Sequence, residues 1–499
     1  MSGRARRART MEHVLADGVS MTRRDFRLLL IALVSVMLLS ALDHTIVVTA
    51  LPVITGELGG EQYLTLVVTA YMLANSLSAL WFGQIADVLG PRRALVSAIV
   101  IFTLGSALCG VAQNMPQLVV LRILQGIGAG GLMTLSQSVI AGVVRPRERG
   151  RYQGIIMSAF AGASIAGPLL GGSIADHLSW RAIFLVNLPV GVIAVFMVGG
   201  VLRHEFPRQK RPDSKLSTVL LSIAAISFLL GVSQVGIAGV PWWLAPTSVA
   251  LALAVIAGFV LAERRVASPL FASKALTSRT FAVANAANIG THVAMMGTVV
   301  LLPVYLHDVR GYGAAETGLN LLPQVLGWLG ATLLAGYLIS WTGRVRMVCL
   351  TGTALMSVGL ALIGLSTATS PMLTFYAVIT VFGVGQGLAL QSLVVAAQSQ
   401  VPLDEMGKVT GFSSFTRSTG SVIGVALSGV LLNTLTAQGF ALERAFQLTI
   451  LAAVPVALTS VIACSLMPAV HLPRRQDDTQ GATDPQLAEG PVSARQSAQ

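Results

Sequence analysis

The stretch LLLIALVSVMLLSALDHTIVVTAL, residues 28–51, places a single carboxylate, Asp43, inside an otherwise apolar run. About 20 apolar residues in a helix span the hydrocarbon core of a bilayer, so this run predicts a transmembrane helix. A carboxylate at that depth is costly unless it is paired, hydrated or protonated. Asp43 is therefore a candidate functional residue. The alternative, an acid near the helix end that reaches the outer interface, is disfavoured by its short side chain.

The rest of the chain has the same apolar character. Hydrophobic residues make up 54% of the 499 residues and charged residues only 11%, whereas soluble domains carry about 25% charged residues. We therefore predict a polytopic membrane protein. The formal net charge of +12 does not indicate nucleic-acid binding, because the Arg and Lys residues lie in short loops between apolar runs, as the positive-inside rule expects.

Fourteen apolar runs reach spanning length. They cover residues 28–51, 64–82, 94–113, 117–143, 152–175, 182–202, 217–238, 243–262, 281–304, 317–339, 347–368, 372–396, 409–433 and 447–469. Basic residues concentrate in alternate loops, which predicts a multi-pass protein of the plasma membrane with both termini in the cytoplasm.

This pattern divides the chain into five parts. They are a cytoplasmic tail over 1–27, a six-helix bundle over 28–202, a linker with two inserted transmembrane helices over 203–280, a second six-helix bundle over 281–470, and a disordered cytoplasmic tail over 471–499. The last tail is polar and rich in Gln, Asp and Ala, a composition that does not form a packed core.

Two loops resemble each other. GQIADVLGPRR, residues 83–93, follows the second run, and GYLISWTGRVR, residues 336–346, follows the tenth. In both loops seven or eight residues separate a glycine from an arginine, although the second copy has Ser340 near the place of Asp87. The repeat favours duplicated six-helix halves, an arrangement typical of secondary transporters.

The first of these loops is similar to the Gly-x-x-x-Asp-x-x-Gly-x-Arg-Arg/Lys loop of the major facilitator superfamily. Its residues in this chain are Gly83, Asp87, Gly90, Arg92 and Arg93. Two glycines let a tight turn pass close to neighbouring helices, and the aspartate can accept hydrogen bonds from a helix N-terminus or from an arginine. We expect a latch that stabilises one of two conformations; the alternative is a plain basic loop.

Other stretches resemble signatures of the same superfamily, in the expected order. LVVLRILQGIGAG (118–130) resembles its fourth-helix signature, with Arg122 at the centre, and GASIAGPLLGG (162–172) its fifth-helix antiporter signature. ALDHTIVVTALP (41–52) and SWRAIFLVNLPVG (179–191) resemble first- and sixth-helix signatures of the fourteen-span drug:proton antiporters. One departure is Val48, where the first-helix signature usually has asparagine, and this puts the substrate range in doubt.

The resemblance implies an all-α membrane protein with the major facilitator fold, in which two six-helix bundles and two central inserted helices give fourteen transmembrane helices. It implies proton-coupled export of small amphipathic or lipophilic compounds such as drugs or antibiotics. The proton gradient would then be the energy source, with no cofactor. The expected partners are the substrate and the lipid bilayer, and the expected state is a monomer.

Asp43 and Arg122 are predicted to meet and to couple transport to protons. Counted at 1.5 Å per residue from the outer ends of their helices, their depths differ by only about 4 to 5 Å. Burial disfavours the ionised carboxylate whereas the guanidinium favours it, so the pair could load and release a proton as access alternates. The alternative is a static buried ion pair that holds two helices together.

Small residues and one proline mark the antiporter-like stretch. Its candidate residues are Gly162, Gly167, Pro168, Gly171 and Gly172. Small residues let helices approach closely, and the proline can kink the helix. We expect a packing and hinge surface; a generic tight helix contact is the equal alternative.

Polar residues inside the spans are the candidates for a substrate cavity. They are Asn75, Gln125, Asn288, His292, Asn320, Gln324 and Arg417. Asn285 shares one helix face with Asn288 and His292. Such a stripe faces either a cavity or another helix, and both possibilities stay open at this point.

Several classes of function find no support in the sequence. Gly126, Gly128 and Gly131 match G-x-G-x-x-G, but the match lies within an apolar helix and not after a strand, which argues against a dinucleotide site. No P-loop is present, the three cysteines lack metal-ligand spacing, and no catalytic constellation is visible.

Proton-coupled uptake of a metabolite remains the alternative to export, and the fifth-helix pattern disfavours it.

Overall fold

The computed structural model describes Leu15 and residues 21–59, 64–201, 220, 223, 224, 227, 243–263, 278–399, 401 and 405–469. Every element named within these residues is a helix. The predicted C-terminal tail, most of the predicted N-terminal tail and most of the predicted central linker, including all but four residues of the run 217–238, lie outside the described residues, whereas residues 23–27 of the predicted N-terminal tail belong to the first helix. The division into five parts therefore stays a prediction.

The described residues of the first half of the chain, up to residue 201, form seven helices. They are α1 (Arg23–Leu58), α2 (Leu64–Leu89), α3 (Pro91–Cys109), α4 (Met115–Val143), α5 (Pro146–His177), α6 (Trp180–Leu185) and α7 (Asn187–Val201). The last two follow one another closely and make up a single span, Trp180–Val201. α8 (Leu244–Glu263) is the described part of the insertion.

The second half forms seven further helices. They are α9 (Arg279–Val304), which continues into a π-helical turn (Tyr305–Val309), α10 (Ala314–Asn320), α11 (Leu322–Thr342), α12 (Val345–Leu365), α13 (Met372–Gln398), α14 (Met406–Ala437) and α15 (Leu442–Leu466).

Local chemistry explains where several of these helices begin. The side chains of Thr22 and Asn114 cap α1 and α4 by accepting hydrogen bonds from backbone N–H groups three residues on, at 3.1 and 2.9 Å. Pro91 and Pro146 begin α3 and α5, positions where the missing N–H costs nothing. α1 continues seven residues past its predicted limit at Leu51, so Asp43 lies well inside the helix.

Eleven helices among the described residues are long and apolar enough to span a membrane. α5 and α8 occupy the predicted runs 152–175 and 243–262 but are not among these eleven. The all-helical membrane architecture is thus confirmed, whereas the count of fourteen stays a prediction.

The glycine-rich stretch of α4 serves helix packing. A Cβ at Gly126 would lie 2.6 Å from the carbonyl oxygen of Tyr71 on α2, and a Cβ at Gly131 would lie 2.6 Å from the Cβ of Ala98 on α3. Only residues without a side chain allow such close approach in a membrane bundle. This packing explains the G-x-G-x-x-G match without a nucleotide.

The two halves meet at the end of the bundle that carries the loops 83–93 and 336–346. There α2 packs on α14 and α5 packs on α11. A Cβ at Gly83 would collide with the backbone of Gly407, and a Cβ at Gly336 would collide with that of Gly150. Each contact is thus a backbone-to-backbone approach between one helix of each half.

Candidate functional site

Asp43 lies at the centre of a buried polar cluster. Its Oδ2 accepts a hydrogen bond from Arg122 Nη1 at 2.7 Å, and its Oδ1 accepts from Gln125 Nε2 at 2.7 Å and from Asn187 Nδ2 at 3.1 Å. Asn187 also donates to Ser106 Oγ at 2.9 Å. The cluster joins α1, α3, α4 and α7, and only 1% of Asp43 is exposed. These partners suit a carboxylate that carries its charge.

Aromatic rings enclose the guanidinium of this pair. The Arg122 Cζ lies 3.9 Å from the ring centroid of Tyr71 and 5.9 Å from that of Phe184. Its Nε is buried and has no hydrogen-bond partner among the described residues. A buried donor without an acceptor costs about 1–3 kcal/mol. An ion pair whose sole role was to hold two helices together would be more stable with this donor satisfied. A rearrangement that gives this donor an acceptor would recover that cost.

Sequence reasoning brought together only part of this cluster. It expected the contact between Asp43 and Arg122, but it assigned Gln125 to the substrate cavity, whereas this amide binds Asp43 and also accepts from Arg122 at 2.8 Å. It missed Asn187 and Ser106. Asn187 is the one residue with a side-chain amide in the stretch 179–191. This isolated amide in an apolar run was the only feature of the sequence that could have indicated its role.

Asp87 caps a helix of the opposite half. Its Oδ1 and Oδ2 accept hydrogen bonds from the backbone N–H groups of Gly407 and Lys408, each at 2.9 Å. These are among the first N–H groups of α14, whose own N-cap residue Glu405 makes no capping side-chain bond. A carboxylate at a helix N-terminus is stabilised by the unpaired N–H groups and by the helix dipole.

The other residues of this loop hold the turn and its flanks. Gly90 has φ of 88°, a left-handed conformation that favours glycine. Arg92 donates to the carbonyl oxygen of Gly199 on α7, and Arg93 is exposed.

The second half repeats this arrangement with different groups. Ser340, at the place of Asp87, donates to Glu148 Oε1 at 2.6 Å near the start of α5. Arg147 Nε donates to the carbonyl oxygen of Ser340 at 2.6 Å. Arg346 donates to the carbonyl oxygen of Ser465, as Arg92 does to Gly199 in the first half.

Buried amides extend the contact between the halves at the same end. Gln153 Nε2 on α5 donates to Gln398 Oε1 on α13 at 2.6 Å, and Gln391 Nε2 donates to the Gly150 carbonyl at 3.1 Å. Arg149 Nη1 donates to the Gln398 carbonyl at 3.0 Å. Sequence reasoning named none of these amides, because nothing in a single span shows which of them will face the other half.

The antiporter-like stretch packs on α1 beside the Asp43 cluster. A Cβ at Gly167 would collide with the hydroxyl of Thr45, which itself donates to the carbonyl oxygen of Ala163 at 3.3 Å. An added Cβ at Gly162 would meet no described atom within 4 Å, so the role of this residue in packing stays a prediction. Pro168, Gly171 and Gly172 lie within α5, but their surroundings lie outside the described residues.

The polar stripe of α9 contacts a neighbouring helix, and its role in a substrate cavity stays a prediction. Asn288 Nδ2 donates to the Ser413 carbonyl of α14 at 3.0 Å, and Asn285 Oδ1 accepts from Thr416 Oγ1 at 3.0 Å. His292 is buried, and its Nδ1 lies 2.8 Å from the Asn288 carbonyl oxygen. The same spacing serves a cavity or a neighbouring helix, and here the neighbour is α14.

The remaining cavity candidates are dispersed. Asn320 Oδ1 accepts from the Tyr376 hydroxyl at 2.6 Å, Gln324 is buried in α11, and Asn75 is half-buried in α2. Arg417 is half-buried between the halves, where its Nη2 lies 2.9 Å from Met133 Sδ of α4.

Comparison with known proteins decides the family. The family model described as Major Facilitator Superfamily matches residues 33–425. The chain belongs to the major facilitator superfamily.

Two relatives support this membership. The chain is 32% identical to the multidrug transporter protein MdtP of Bacillus subtilis (strain 168) over 409 residues, covering 81% of this chain and 75% of that protein. It is 33% identical to the efflux pump FUS6 of Gibberella moniliformis (strain M3125 / FGSC 7600) over 424 residues, covering 82% and 74%.

A solved structure of the same superfamily agrees in fold. The proton:xylose symporter XylE superposes with a TM-score of 0.62 at 13% identity, covering 90% of this chain and 98% of that chain. Together, the family, the fold and the relatives identify a multi-pass membrane transporter of the major facilitator type and not an enzyme.

An ion pair ties the end of α1, where Glu57 lies beyond the candidate span Arg23–Val47, to the start of α6. Glu57 accepts hydrogen bonds from the Arg181 guanidinium and, at 2.7 Å, from Trp180 Nε1. Arg181 and then Trp180 hold the pKa of the Glu57 carboxyl below its ordinary value.

Proposed function

We propose that this chain is a proton-coupled efflux transporter that exports small amphipathic compounds, such as drugs or antibiotics, by alternating access. We place it among the fourteen-span drug:proton antiporters of the plasma membrane, with both termini in the cytoplasm. The observation that carries the proposal is the buried Asp43–Arg122 pair, whose Nη1 and Oδ2 lie 2.7 Å apart. The relatives named multidrug transporter and efflux pump support the direction of transport.

The pair can link protonation to movement of helices. Protonating Asp43 removes the charge that binds Arg122, and a neutral acid accepts hydrogen bonds more weakly than a carboxylate. Because the bonds to Asp43 join α1, α4 and α7, their weakening changes how these helices hold together. In the proposed cycle, a proton reaches Asp43 from outside and leaves to the cytoplasm while substrate moves the opposite way.

The contacts between the halves supply the second conformational element. With the loop 83–93 in the cytoplasm, the Asp87 cap on α14 and the approach of Gly336 to Gly150 close the cytoplasmic side. This conformation then faces outward. One proton can shift the populations of the two states if their free energies differ only slightly. A pH gradient supplies about 1.36 kcal/mol per pH unit for each proton.

The remaining features of the proposal are those that we expect from the sequence. The proton gradient is the only energy source, no cofactor takes part, and the transporter acts as a monomer in the bilayer. Two six-helix bundles over 28–202 and 281–470 flank the inserted helices of 203–280.

The proposal is tested in inside-out membrane vesicles that contain the purified transporter. With the vesicle interior made acidic, a panel of fluorescent amphipathic amines, amides and acids is offered outside, and uptake is followed with time. We expect uptake of some members that stops when a protonophore collapses the gradient. Uptake driven only when the gradient has the opposite sign would identify a symporter and contradict export.

A further inference from the structure

Arg417 lies inside the candidate membrane span Met406–Ala437. It follows the first residue of α14, Met406, by eleven positions, or about 16 Å at 1.5 Å per residue. The hydrocarbon core is about 30 Å thick, so neither interface is close to its guanidinium. A charged side chain at this depth requires a partner or a water-filled cavity.

Among the described residues, this guanidinium has a poor hydrogen-bond acceptor. The described hydrogen-bond partner of Arg417 is Met133 Sδ on α4 of the other half, at 2.9 Å. A thioether accepts weakly, whereas a guanidinium presents five N–H donors. One turn further along α14, Gly420 packs against His292, whose Cβ would lie 3.0 Å from an added Cβ. An imidazole cannot neutralise a guanidinium.

The described residues also include no further carboxylate deep inside a span that could pair with Arg417. Asp43 is the one acid deep inside a predicted span, and it is committed to Arg122, Gln125 and Asn187. Other described acids lie at helix ends and bind groups there. They include Glu57, Asp87, Glu148, Glu316 and Glu443. Among the described residues, the positive charge of Arg417 therefore has no matching carboxylate where the two halves meet.

We infer that Arg417 binds an anionic group of the substrate, so that the exporter takes amphipathic compounds that carry a carboxylate or a similar singly charged anion. This inference rests on the proposed export function and names its substrate class. The planar guanidinium suits a carboxylate because it can donate two parallel hydrogen bonds. Its position between α14 and α4 makes a bound anion a bridge between the halves.

The membrane potential favours this class of substrate. Export of a monovalent anion in exchange for one entering proton moves two positive charges inward per cycle. The same exchange with a neutral compound moves one charge, and with a monovalent cation it moves none. An inside-negative potential therefore drives export of the anion most strongly.

A matched set of probes tests the inference. We would use a dansylated amino acid, its primary amide and its dimethylaminopropyl amide, which share one fluorophore and differ in charge. Initial uptake into inside-out vesicles is measured for the wild type, Arg417→Gln, Arg417→Lys and a control, Arg444→Gln. Arg444 is an exposed arginine in the first turn of α15, so the control makes the same chemical change away from the proposed site.

We expect the wild type to export the carboxylate fastest. Arg417→Gln should lower uptake of the carboxylate at least about tenfold, as expected for the loss of a charge-assisted hydrogen bond, and leave uptake of the primary amide nearly unchanged. Arg417→Lys should keep part of the preference and Arg444→Gln all of it. Equal loss of all three probes in Arg417→Gln, as a structural or lipid-binding arginine would give, overturns the inference.

Thermal stabilisation of the detergent-solubilised protein separates this inference from the proposed function. Binding needs no gradient, so the carboxylate probe should raise the melting temperature of the wild type and not that of Arg417→Gln. Equal stabilisation of both proteins by the carboxylate contradicts the role of Arg417. Carboxylate-selective binding together with transport that ignores the pH gradient contradicts proton coupling and supports the anion site.

Discussion

At the scale of residues, the central feature is a carboxylate that accepts three hydrogen bonds inside the bundle. The donors are Arg122, Gln125 and Asn187. The contact with Arg122 could be predicted from the sequence, because the depth of each residue follows from counting along its helix. Asn187 could not, since the face that α7 turns toward α1 depends on the packing of both helices.

Removing the cation of this cluster should change how transport depends on pH. In Arg122→Ala, Asp43 keeps its two amide donors but loses the charge that favours its ionised form. We expect the pH–rate profile of export to move to higher pH, and to move less in Arg122→Lys, which keeps the charge but not the fork of donors. A profile in Arg122→Ala that coincides with the wild type would argue against this role of the pair.

At the scale of elements, Asp87 links the end of α2 to the start of α14. In Asp87→Asn the carboxylate that serves two N–H groups becomes a neutral amide with one acceptor oxygen. Loss of a helix cap costs about 0.5–2 kcal/mol, enough to change the populations of two conformations several-fold. We expect slower export with substrate binding intact, measured by vesicle uptake and by thermal stabilisation.

A variant outside this loop provides the control. Arg24 is exposed in the first turn of α1, so Arg24→Gln should leave the export rate close to that of the wild type. Loss of substrate binding in a well-folded Asp87→Asn protein would show that this aspartate does more than stabilise one conformation.

The ion pair between α1 and α6 should make stability depend on pH. Arg181 and Trp180 lower the pKa of Glu57 from its ordinary 4.5, so the ionised form stabilises the folded protein. This contribution is complete above the ordinary value and is lost as pH falls through the lowered one. Glu57→Gln should therefore melt below the wild type at pH 7, and the gap should close in acid. A gap of the same size at both pH values would contradict this.

At the scale of the whole molecule, the resemblance between the two halves accounts for more of the observed contacts than any single sequence motif does. Arg92 and Arg346 bind carbonyl groups at corresponding places, although Ser340 replaces Asp87. The sequence could predict the helical membrane architecture and the repeat, since both depend on hydropathy and local spacing. It could not decide whether Asn288 faces a cavity or a helix, because one periodicity serves both.

The measurement that tests the central claim most directly compares two modes of transport in Asp43→Asn. The amide keeps the size of the carboxylate but cannot carry a proton through the cycle. In vesicles, we predict that this variant loses gradient-driven accumulation of substrate and keeps exchange of labelled for unlabelled substrate at equal pH. The matched control, Asp308→Asn, changes an acid whose side chain is 47% exposed and should keep both activities. Gradient-driven accumulation by Asp43→Asn at the wild-type rate would contradict the claim that Asp43 carries the coupled proton.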